Sequence, residues 1–68
     1  MNNTSFIDRM QKEYNDLDTK ITKLEKALKS LPLDKKEKEL LIFQKEYMKK
    51  YREILHSRIN YEKEKYKI

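Results

Sequence analysis

The chain has no cysteine, no glycine, one proline (Pro32) and one histidine (His56) among its 68 residues. Each shortage closes a route. Without cysteine there is no disulfide, and a lone histidine cannot supply the roughly four Cys or His ligands of a structural zinc site. Without glycine there is no phosphate-cradling glycine loop, and a turn-rich β fold lacks its turn residues. No run of eighteen apolar residues occurs, so neither a membrane-spanning helix nor a signal peptide is expected, and the chain is assigned to a cytoplasm. Nucleophilic catalysis would have to rely on His56, and Ser57 beside it lies about 100° around a helix, off its face. The carboxylates sit near bases as solvated pairs of the Glu46–Lys50 kind. A protein with neither enzymatic activity nor a cofactor is therefore expected.

Charge is abundant: 43% of residues are Asp, Glu, Lys or Arg, and the net charge is +5. Residues 49–68 hold seven Lys or Arg against three Glu, whereas the first 48 residues carry ten bases and nine acids. A composition this polar also fits disorder, and periodicity decides against it. Met10, Tyr14, Leu17, Ile21, Leu24, Leu28 and Leu31 recur with alternating spacings of four and three, one step of four after Phe6. That is a helical seam. Ser5 is the expected cap, with Asp8 near the positive end of the helix dipole.

Pro32 stops this helix, and Asp34 followed by Glu37 has capping-box spacing. The fold expected is all-α: one domain, residues 1–68, with helix one over about 5–30, a turn at 31–34 and helix two over about 35–62 with a basic, fraying end. A short turn joins antiparallel neighbours, which makes a two-helix hairpin. A turn centred between residues 32 and 33 pairs positions summing to 65. Leu24 then faces Leu41, Ile21 faces Gln44, Leu17 faces Met48, Tyr14 faces Tyr51, Met10 faces Leu55 and Phe6 faces Ile59.

That register leaves a second stripe on helix two. Leu40, Phe43, Tyr47 and Ile54, with Gln44 fixing register, form the expected oligomer interface, to which Ile7, Ala27 and Leu31 add from helix one. Chains this small need a staple, and with metal and disulfide excluded the partner is a second copy. A homo-oligomeric helical bundle, simplest as a four-helix dimer, is expected.

All three arginines lie towards the open end. Arg9, Arg52 and Arg58, with His56, Tyr47 and Tyr51, are the candidate ligand-binding residues, because arginine binds phosphate bidentately and tyrosine stacks on bases. An ordinary interhelical salt bridge is the competing reading: the register sets Arg52 opposite Glu13, and Arg9 opposite His56. Tyr14 and Tyr51 sit in the seam and read first as core.

Phe6, Arg9, Met10, Glu13, Leu17, Ile21 and Leu24, followed by Leu40, Leu41, Gln44, Met48, Tyr51, Ile54, Leu55, Arg58 and Ile59, resemble short helical proteins of tailed bacteriophages. Arg9, Glu13, Gln44 and Arg58 are the informative part, since the rest is a heptad that any hairpin would show. The resemblance implies an accessory protein, similar in size to the sponges that trap cyclic nucleotide signals of bacterial immunity between subunits with arginines and aromatics. The expected function is sequestration of a small phosphorylated signal, a cyclic nucleotide or an ADP-ribose type. Two alternatives stay open: an adaptor or inhibitor that binds a host helix through the spare stripe, and a basic dimer on RNA or DNA, against which the interleaved Glu62-Lys63-Glu64-Lys65 counts.

Overall fold

The computed structural model describes residues 5–66. Two helices, α1 (Ser5–Ser30) and α2 (Lys35–Lys65), account for nearly all of them and pack against each other as an antiparallel hairpin. The rod measures 52 × 14 × 12 Å, with a radius of gyration of 15.6 Å. A compact domain of this length has a radius near 11 Å, so the hairpin is a single extended layer.

The turn follows from local chemistry. Pro32 cannot continue α1, and Asp34, extended at φ −75° and ψ 173°, begins α2. Its carboxylate accepts from the Glu37 backbone N–H at 2.8 Å, and its own N–H donates to Glu37 Oε1 at 3.1 Å. This reciprocal box satisfies two amide donors that the first turn leaves open. At the far end α2 continues past residue 62, and the Tyr66 N–H donates to the Glu62 carbonyl at 3.0 Å.

The core is small. Ile7, Met10, Leu17 and Ile21 from α1 and Leu55 and Ile59 from α2 are buried, and Phe6 and Tyr14 pack around the part nearest the open end. On α1 the expected seam holds through Leu28, with two corrections: Leu31, its last expected member, lies beyond the end of α1 and is 53% exposed, and Ile7, expected to add to the second stripe, is 4% exposed and belongs to the core.

On α2 the face turned towards α1 differs from the expected one. Apart from Lys49 and Lys63 at its edge, its covered positions run Leu41, Lys45, Met48, Arg52, Leu55, Ile59 and Glu62, again alternating four and three. Gln44 and Tyr51, expected in the seam, are exposed, and Lys45 and Arg52 stand in their places. The reason is that Lys and Arg lay long apolar stems along a neighbouring helix while their charged heads reach water.

The register moves with the face. Arg52–Asp18 and Tyr14–His56 both sum to 70, Phe6–Tyr66 to 72 and Lys49–Glu25 to 74, and Tyr51–Glu13 alone, at 64, lies near 65. The contacts on the two flanks bracket a register about one helical turn beyond the symmetric one.

Candidate functional site

The six candidate ligand residues fall on two sides of the rod. On one flank the Arg52 guanidinium donates to Asp18 Oδ1 at 2.6 Å, and His56 lies against Tyr14 with ring centroids 5.8 Å apart. Arg52 therefore pairs with Asp18 rather than Glu13, and His56 meets Tyr14 rather than Arg9. Both side chains line a shallow groove with Tyr14, Glu53 and Ser57. With its charge matched and its stem half-covered, Arg52 is first an interhelical clasp.

On the other flank the Tyr51 hydroxyl donates to Glu13 Oε2. This bond raises the Tyr51 pKa from its ordinary value of 10.0, helped by partial desolvation and the Glu13 charge and opposed by Arg58. Arg9 lies one helical turn from Glu13, and Arg58 two turns from Tyr51, both towards the open end. At about 1.5 Å per residue, those steps are about 6 Å and about 10 Å, which sets the two arginines within about 5 Å of each other along the rod. Among the described residues, neither has a carboxylate within 4.0 Å. Arg9, Tyr51, Lys12, Lys20, Glu13 and Asp16 line a groove of about 410 Å³; Arg58 lines a separate one with Ile54, Tyr61 and Glu62, which shares Glu53 and Ser57 with the groove of Arg52 and His56.

The exposed stripe borders these grooves. Leu40, Phe43, Tyr47 and Ile54 are 55%, 61%, 69% and 58% exposed. Tyr51 and Tyr61 continue the same spacing, and Arg58 stands in step between Ile54 and Tyr61. At 100° per residue this stripe lies roughly a third of a turn from the face on α1. Tyr61 is the member that the sequence reading left out, although its spacing from Ile54 marked it. Gln44 sits at the stripe's edge, and Lys50 Nζ lies 5.6 Å from the centroid of the Tyr47 ring. Leu31, the expected contributor at the turn, is also exposed.

The site offers arginines and exposed tyrosines among carboxylates: Glu13 and Asp16 stand with Arg9, and Glu53 and Glu62 with Arg58. Among the described residues no group of three His, Cys, Asp or Glu is placed to hold a metal ion, and none of the helices is long and apolar enough to cross a membrane. An arginine without a carboxylate within 4.0 Å suits phosphate or carboxylate, which accept two parallel N–H bonds from one guanidinium. Exposed tyrosines beside them suit a planar base. A family model described as Sequestin matches residues 4–61. No curated protein and no solved structure matches the chain.

Proposed function

Since the chain belongs to the Sequestin family, whose name denotes sequestration, we propose that it is a non-enzymatic accessory protein that self-associates and traps a small phosphorylated signal. The signal is of the cyclic nucleotide or ADP-ribose type, and its removal counters bacterial immunity in the cytoplasm of the host. Three features support the ligand class: helix geometry sets Arg9 and Arg58 at nearly one level of the rod, neither has a carboxylate within 4.0 Å among the described residues, and the exposed Tyr51 and Tyr61 line their respective grooves. A guanidinium without a close counter-ion favours an anionic ligand, and its planar fork matches a phosphate oxygen pair. Arg52 and His56 lie on the opposite side and are not required.

Thermal unfolding across a panel of cyclic dinucleotides and ADP-ribose derivatives tests this. A ligand that binds only the folded state stabilises it by mass action, by about 2.7 kcal/mol at a hundredfold excess over Kd. The expected result is a saturable, stoichiometric rise in melting temperature that disappears in Arg9→Ala/Arg58→Ala and survives in Arg52→Ala. No rise with any member of the panel overturns the reading. The exposed stripe also favours a second one, an adaptor for a host helix, which gains if Phe43→Lys leaves self-association intact and abolishes activity.

A further inference from the structure

We propose that two copies pair through α2 in an antiparallel register centred between residues 50 and 51, which sets Arg58 of each copy against Phe43 of the other. This rests on the self-association proposed above and gives it a geometry. It also makes the arginine site composite: Arg9 and Arg58 come from one copy and the aromatic wall, Phe43, from its partner.

The stripe itself carries the argument. When α2 is reversed about the point between residues 50 and 51, positions summing to 101 meet. Leu40 then faces the partner's Tyr61, Phe43 the partner's Arg58, and Tyr47 the partner's Ile54, so each of these stripe members lands on another. A slip of one heptad in either direction is worse: a sum of 94 carries Tyr61 past the start of α2 and sets Arg58 against the partner's Lys36, and a sum of 108 sets Phe43 against the partner's Lys65. A parallel pairing sets every residue against itself and puts Arg58 on Arg58, two like charges in an apolar seam. In the antiparallel register each guanidinium meets a phenyl ring instead, the arrangement that favours a cation over an aromatic face.

Area points the same way. Side chains of this kind present about 150–250 Å² each when aromatic, so the stripe offers on the order of 600 Å² per copy. A standard specific interface covers about 800 Å² per partner, and the flanking polar residues make up the difference. A hairpin whose described residues bury only six hydrophobic side chains gains its second layer from such a copy. The two-fold symmetry is the ordinary solution for a self-complementary patch.

The chain has no cysteine, so introduced thiols report pairing without background. Full-length Tyr47→Cys and Ile54→Cys are refolded together and oxidised, and the products are separated by mass. The mixed disulfide is expected to exceed either homodimer about tenfold. Thiols at position 47 in both copies would be seven residues out of step, about 10 Å along the axis, beyond the roughly 7 Å Cα separation that a disulfide spans. Phe43→Cys with Arg58→Cys repeats the test at the contact of interest, and circular dichroism checks that each variant stays helical. Homodisulfides that match or exceed the mixed product, in a protein that light scattering shows to be dimeric, overturn the register and leave self-association standing. A monomer at every concentration overturns both. Mixed disulfides without nucleotide binding retain the pairing and sink the ligand reading alone.

Discussion

Tyr51, which the sequence offers both as core and as a ligand candidate, is exposed and lines the Arg9 groove. Its hydroxyl reaches Glu13 across the helix gap, which an aliphatic side chain at that position would not do. Because its folded pKa is raised above 10.0, the stabilisation is present below about pH 10 and is lost as pH rises through the folded value. The difference in tyrosinate absorbance between the wild type and Tyr51→Phe is expected to show a transition with its midpoint above 10.0, and the variant should lose less stability than the wild type on alkaline titration. Asp34 has the opposite sign. The Glu37 backbone N–H holds its carboxyl below the ordinary value of 3.8, with a second contribution from the Glu37 side chain. The contribution of the cap is therefore present above about pH 3.8 and is lost as pH falls through the folded value. Helicity followed from pH 5 to pH 2 should fall more steeply in the wild type than in Asp34→Asn, which keeps an acceptor that does not titrate. Asp34→Ala is expected to lower the melting temperature at neutral pH, since alanine cannot accept from the amide at position 37.

At the scale of the helix, the hairpin was legible because its signals are local. The alternating spacing of α1, the proline stop and the Asp34–Glu37 box each act within a few residues, and the structure has the two antiparallel helices that they imply. The face of α2 was less legible, because Lys45 and Arg52 count as polar by residue type and as apolar by stem. Once those stems take the seam, Gln44 and Tyr51 turn outward and the register moves by about a turn. The candidate site was legible in composition and not in arrangement: three arginines at one end are visible in the sequence, but which of them has a carboxylate beside it depends on the register. Asp18 reaches Arg52 only in the observed one. The same geometry fixes where truncation hurts. Leu55→Ala empties the most enclosed position on α2, 0% exposed, and is expected to cost about 2–5 kcal/mol in chemical denaturation. Phe43→Ala, on the open stripe, should cost the isolated hairpin far less.

For the whole molecule, stability and the proposed assembly are one question. A single layer of two helices with six buried hydrophobics among its described residues resembles half of a four-helix bundle, and a folded state held by a partner melts at a temperature that rises with protein concentration. The expected outcome is a melting temperature that climbs steadily over a hundredfold dilution series, accompanied by dimeric mass in light scattering at the upper end. Phe43→Lys should remove both, because the new ammonium would stand against the partner's Arg58 in the middle of an apolar seam, where a second positive charge is neither solvated nor paired. Phe43→Leu keeps an apolar side chain there and should retain both, so the pair of variants separates loss of the interface from loss of a ring. If Phe43→Lys melts like the wild type at every concentration, the stripe is not a contact between copies, and its exposed tyrosines and leucine must serve another partner.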